Sequence, residues 1–121
     1  MEALLDTNFI IACFKRKIDI HDEFAALGFI PVVPREVLEE LKDLRLKVPH
    51  AERLAIQLAL QRFSSTKVKK TRLGGKSVDE GLIMKGKQGL YIATLDAAIK
   101  RMVPNRIVIA NAQNALAIER K

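Results

Sequence analysis

Asp6, Glu40, Asp79 and Asp96 are the residues of this chain best suited to chemistry. Asp6 and Asp96 follow short apolar runs, Ala3–Leu5 and Leu90–Thr94, of the kind that form buried strands. Glu40 and Asp79 fall in segments with helical periodicity. At about 100° per residue, Val37, Leu38, Leu41 and Leu44 make one stripe, and Glu40 is the acid nearest to it, about 90° from its centre. Glu36 stands about 130° away, with Glu39 and Asp43 farther still. Asp79 has Leu82 and Ile83 at i+3 and i+4, which puts it on the apolar face of its helix. Acidic side chains are rarely buried unless something pairs with them. Gathered in one place, they repel one another and bind protons more readily until a cation arrives. An all-carboxylate set with no cluster of His or Cys points to Mg2+ or Mn2+. Such an ion polarises a phosphodiester, lowers the pKa of a bound water and steadies the leaving oxygen.

Each acid also has a purely structural role open to it. Asp6 can shape an Asp-Thr-Asn turn or cap a helix, and Asp96 can cap the helix that follows it. Asp79 can complement a helix dipole from the first turn. Glu40 can be a solvated helix acid. The case for a functional site is that all of them point to one spot.

The elements that must position these acids read as βαβ units around a parallel sheet. Strands are expected at Ala3–Leu5, Phe29–Val33, Thr66–Lys70, Leu90–Thr94 and Arg106–Ile109. Thr7 or Asn8 can cap a first helix through Ile10–Phe14. Asp19–Leu27 is a second, stopped by Gly28. Pro34 suits the first turn of a helix to about Leu44, and Pro49 opens another to about Phe63. Ser77 and Glu80 fit a capping box for a helix through Lys85. Gly89 closes that turn, and Ala97–Met102 is a short helix. After Asn111–Asn114, residues Ala115–Glu119 form either a short strand or a terminal helix. The lysines of the third strand mark a sheet edge. The expected class is therefore α/β, with about five strands in the order 3-2-1-4-5. Strands 1 and 4 are then neighbours where the order reverses, and Asp6 meets Asp96 beyond their carboxyl ends.

Bulk properties agree with a phosphate-bearing partner. Lys and Arg number 21 against 14 Asp and Glu, a net charge of +7, and a balance this basic favours nucleic acid or another polyanion. The length of 121 residues argues for a single domain over 1–121. A lone Cys13 excludes an internal disulfide and a cysteine-based zinc site, and fits a reducing, cytoplasmic setting. Residues 1–14 carry Glu2, Asp6 and Asn8, so they read as neither signal peptide nor membrane span. His21 and His50 lie in polar segments and read as surface residues. Five Phe, one Tyr and no Trp leave little for base stacking, which argues against an RRM or OB-type binder.

With those residues in view, the chain resembles the PIN-domain nucleases. The resemblance is carried by Leu4-Leu5-Asp6-Thr7-Asn8, by Val37-Leu38-Glu39-Glu40-Leu41, and by Asp79 followed at the usual family interval by Ala93-Thr94-Leu95-Asp96. It covers nearly the whole chain in the expected order. It is similar to the small archaeal PIN proteins, both the rRNA-processing kind and the VapC-type toxins. The resemblance implies a three-layer α/β fold and Asp6, Glu40, Asp79 and Asp96 as metal-binding, catalytic acids. It implies Thr7, Asn8 and Thr94 as polar groups that orient them. It further implies hydrolysis of single-stranded RNA leaving a 5′-phosphate and a 3′-hydroxyl, and as partners RNA, a second copy of the chain, and an antitoxin or ribosomal component. Two departures stand out. Ala98 occupies a place where many relatives have a further acid, and Lys85 or Gly86 stands where relatives often have a small apolar residue. The candidate RNA contacts are Lys67, Lys69, Lys70, Arg72 and Lys76, with Lys85 and Lys87 flanking the site and Lys15, Arg16 and Lys17 as further cations.

Two other readings compete. One is a non-catalytic RNA-binding or assembly factor on the same fold. The other is a phosphoryl-accepting signalling domain, which is disfavoured because Asp6 lacks an acidic neighbour and the third strand ends in Lys70-Thr71-Arg72.

Overall fold

A computed structural model describes residues 1–65 and 67–120. The chain order is β1 (Glu2–Leu5), α1 (Thr7–Lys15), α2 (Ile20–Leu27), β2 (Ile30–Pro34), α3 (Arg35–Leu44), α4 (His50–Phe63), β3 (Lys69–Thr71), α5 (Val78–Lys87), β4 (Tyr91–Ala93), α6 (Ala97–Met102), β5 (Asn105–Ala110) and β6 (Ala115–Arg120). The strands form one sheet in the order β3-β2-β1-β4-β5-β6. The first five are mutually parallel, and β6 returns antiparallel to β5.

The central strands are apolar on both faces, as a parallel sheet covered by helices requires. Ala3 and Leu5 enter a core that includes Phe9 of α1, Phe24 of α2, Leu41 of α3 and Phe63 of α4. Leu4 points the other way, into a smaller core with Leu82 of α5 and Ile99 of α6. This is the two-residue alternation of a strand, and it makes the sheet the middle of three layers. Gly28 ends α2 in the left-handed region at φ 84°, a conformation that costs glycine nothing.

The expected strand count is corrected from five to six. Asn111–Asn114 form the turn, and Ala115–Arg120 pair along the whole of β5. Two side chains anchor β6: Glu23 of α2 accepts from Leu116 N–H at 2.9 Å, and Arg106 meets Glu119 at 3.2 Å. Glu23 is distant in sequence, so periodicity alone left strand and helix open. The third strand also shifts, to Lys69–Thr71, because Pro34 at the end of β2 aligns with Thr71. Thr66, where that strand was expected to begin, lies outside the described residues. Pro34 ends β2 and takes the N-cap of α3, one place before the first turn. Among the described residues, no helix is long and apolar enough to cross a membrane.

Candidate active site

β1 and β4 are adjacent in register, with Leu4 opposite Ile92 and Leu5 opposite Ala93. The residues that follow, Asp6 and Thr94, therefore emerge side by side at the carboxyl edge, where the order of winding reverses. The Asp6 N–H still donates to Ala93 O at 2.9 Å, continuing the ladder. Asp6 is 5% exposed and Thr94 is fully buried.

Asp6 itself is the N-cap of α1, one of the roles open to it, in place of Thr7 or Asn8. Its Oδ1 accepts from Thr7 N–H at 2.8 Å and its Oδ2 from the Thr94 hydroxyl at 2.7 Å. Thr94 Oγ1 in turn accepts from Asp96 N–H at 3.0 Å. One buried hydroxyl thus joins the two acids expected to meet. Asp96 is the N-cap of α6, its Oδ1 accepting from Ala98 N–H at 2.8 Å and Ile99 N–H at 3.2 Å. The structural and functional roles of these aspartates coexist, since a helix N-terminus also favours the ionised carboxylate.

Glu40 is half-buried on α3, and Asp79 stands on the first turn of α5. Burial pushes the Asp6 carboxyl above its usual range, and the negative charges of Asp79 and Glu40 push it further. The hydrogen bonds from Thr94 and Thr7 oppose the rise without cancelling it. The acids from β1, α3 and α5 therefore share one electrostatic field.

Three expectations change. Asp79 is exposed, whereas its neighbour Leu82 is fully buried. Helical side chains lean toward the N-terminus, so an acid on the first turn reaches off the helix end instead of onto the core. Asn8 is exposed and makes no hydrogen bond to Asp6 among the described residues; it lines a groove with Ile11, Ala12 and Leu44. Thr7 orients Asp6 through its backbone N–H alone, and its buried hydroxyl has no partner among the described residues.

The donors suit a hard divalent cation: carboxylates, hydroxyls and backbone, with no thiol or imidazole nearby. Cys13 is buried in the apolar core, which pushes its pKa up to about 12. His50 is exposed. His21 is half-buried rather than a surface residue, its ring 6.0 Å from that of Phe63. Among the described residues, no three of these acids, His or Cys stand together closely enough to hold an ion as the chain rests.

The expected phosphate contacts divide. Lys69 pairs with Glu2, and Lys70 Nζ donates to Ser65 O at 2.7 Å and Val68 O at 3.1 Å. Arg72 sits in the field of Glu36, Lys67 lines a groove with His21 and Arg62, and Lys76 is exposed. Lys85 and Lys87 stand on the last turn of α5, about 9 and 12 Å along the axis from Asp79. They do not flank the acids. Lys15 pairs with Glu52 and Arg16 with Asn111.

Glu36 makes a tertiary contact that sequence reasoning passed over. Its carboxylate accepts from Leu73 N–H at 3.0 Å and Gly74 N–H at 3.3 Å. This ties the first turn of α3 to the loop that leads into α5. Burial raises the Glu36 pKa, but its own N–H, those of Leu73 and Gly74, and Arg72 outweigh that and hold it below the usual range. The signal was its place four residues before Glu40, on the same side of the helix. The glycine departure also has its reason: a Cβ on Gly86 would stand 2.3 Å from Val103 Cγ1, so α5 packs on β4 and α6 only with hydrogen there.

The three-layer sandwich and its mostly parallel sheet match a PIN-like fold. Among solved structures, the chain is similar to that of the PIN domain endonuclease Utp24, with a TM-score of 0.77 and 22% identity over 99% of this chain and 92% of that one. At that identity the likeness is one of fold. Neither a family model nor a curated protein matches the sequence.

Proposed function

We infer that the chain is an endoribonuclease that uses Mg2+ or Mn2+ at Asp6, Glu40, Asp79 and Asp96. The observation that carries this is Asp6: a buried carboxylate at the switch point of the sheet, held by Thr94 and burdened by two further acids. Such an arrangement is unfavourable by itself and is relieved by a cation. The fold shared with a protein described as an endonuclease supports the reading. A bound divalent ion would supply an activated water and a counter-charge for the phosphodiester.

The residues do the rest. Thr94 fixes Asp6 and Asp96 relative to each other. The bonds from Leu73 and Gly74 N–H to Glu36 tie the first turn of α3, the helix that carries Glu40, to the loop before α5. Asp96 has Oδ1 committed to its cap, which leaves Oδ2 for a ligand. The surplus of cations draws in the polyanion.

The test is cleavage of single-stranded RNA with Mg2+ or Mn2+, and its dependence on Asp6. Asp6→Asn is expected to lower the rate by roughly 100-fold or more, the scale of removing one electrostatic contributor to a transition state. One observation favours a second reading, a non-catalytic RNA-binding factor on this fold: no three acids are gathered to ligand distance among the described residues. RNA that binds and is never cut, with either ion, would establish that reading instead.

A further inference from the structure

α3 presents three stripes. Val37 and Leu41 are buried. Glu36 accepts from the loop at Leu73 and Gly74 and also lines the cleft beside the third row, and Glu40, one turn on, acts on Asp6 through its charge. Arg35, Glu39 and Lys42 form a third row, about 120° around the helix from the second. That third row lines a cleft of about 310 Å³, which is also lined by Lys70 of β3 and by Arg72 just beyond that strand.

We propose that this cleft between α3 and the β3 edge is a phosphate subsite for the RNA strand, distinct from the acid site and reached by the same strand. This rests on the ribonuclease reading and extends it to a second contact point. Four cations line the cleft against two acids, Glu36 and Glu39. Glu36 is already held by backbone N–H groups. Glu39 is 3.9 Å from Lys42 with both side chains largely exposed, too weak a pair to neutralise it. Lys70 is fixed by two carbonyls, so its charge is preorganised and one N–H remains for a ligand. Arg35 and Lys42 are two helical turns apart, about 10 Å, so they can meet different phosphates. Lys70 of β3 and Arg72, one residue beyond its end, both line the cleft. The first turn of α3 carries both Arg35 and Glu36, so the cleft adjoins the latch that positions the acids. A strand lying in the cleft is thereby delivered past α3 toward Asp6. Arg35, Lys42 and Ser64 have no place among the sequence-based candidates, because they are scattered along the chain and only the α3–α4–β3 packing gathers them.

The experiment measures binding of the full chain to a fluorescein-labelled single-stranded RNA by anisotropy across a salt series, in chelator so that no metal-dependent cleavage proceeds. The double variant Arg35→Ala/Lys42→Ala should bind about 10-fold more weakly at low salt. Its slope of log K against log salt should be shallower by about 1.4, two contacts at about 0.7 each for a single strand. Lys42→Arg and Arg35→Lys, which keep the charges, should restore the slope. Both positions are exposed on a helix and alanine suits a helix, so the fold should persist, as a circular dichroism melt will verify. An unchanged slope in the alanine variant overturns the subsite. So does a chain that binds polyglutamate and not RNA, which would give the cleft to an acidic protein. Cleavage in Mn2+ is scored separately. Wild-type binding without cleavage would defeat the nuclease reading while the slope still decides the cleft.

Discussion

Thr94 is a single hydroxyl shared by two acidic turns, donating to Asp6 and accepting from the Asp96 N–H. Thr94→Val keeps the shape and removes both bonds. The variant should lose about 2–3 kcal/mol in denaturant unfolding, since a buried carboxylate loses a donor, and should cut RNA more slowly. Asp6 carries a second expectation. Its folded pKa is raised, so the folded chain holds that proton more tightly than the unfolded chain. The contribution to stability is then full below the ordinary carboxylate range and is lost as pH rises through the folded value. Melting temperatures in chelator should show this fall, and Asp6→Asn should flatten it. At this scale the sequence was readable for Asp6, Asp96 and Thr94, whose places follow from two apolar runs ending together. It misled for Asn8, because an Asx side chain beside a cap looks the same in sequence whether it turns toward the acid or toward solvent.

Elements set the remaining distances. The first turns of α3 and α5 are joined through the loop at Leu73 and Gly74, and α5 approaches that loop at Gly81. A Cβ there would stand 2.6 Å from Leu73 Cβ and 2.8 Å from Gly74 O. Gly81→Ala must move the loop or the helix, at about 1–3 kcal/mol, and either movement displaces Asp79 relative to Glu40. The variant should therefore lose more activity than its melting temperature alone accounts for. Glu36→Gln replaces the carboxylate that accepts from the loop N–H groups with a neutral amide. It should cost about 1 kcal/mol near neutral pH, and the difference from wild type should shrink as pH falls through the lowered Glu36 pKa. The helices of this fold were legible from periodicity and from Pro34, Pro49, Ser77 and Gly28 at their ends. Strand β6 was legible only as one of two choices, since its anchor on Glu23 is tertiary. The latch was not legible, because the glycines of residues 74–75 announce a loop without saying what holds it.

The molecule as a whole carries a net charge of +7, and in the proposed reading that surplus draws a polyanion toward acids that a cation makes receptive. The surplus was plain in the composition, yet its arrangement was not: the lysines of β3 are partly spent on Glu2 and on backbone carbonyls. Saturating Mn2+ should raise the melting temperature of the wild-type chain, by an increment equivalent to about 2.7 kcal/mol at 100 times Kd, and should leave Asp6→Asn nearly unmoved. The most direct test is an anomalous difference map from a crystal soaked in Mn2+. The account predicts a peak enclosed by Asp6, Glu40, Asp79 and Asp96, with Glu40 and Asp79 drawn inward from their resting places. A map with no peak there, or with Mn2+ bound only elsewhere, would contradict it.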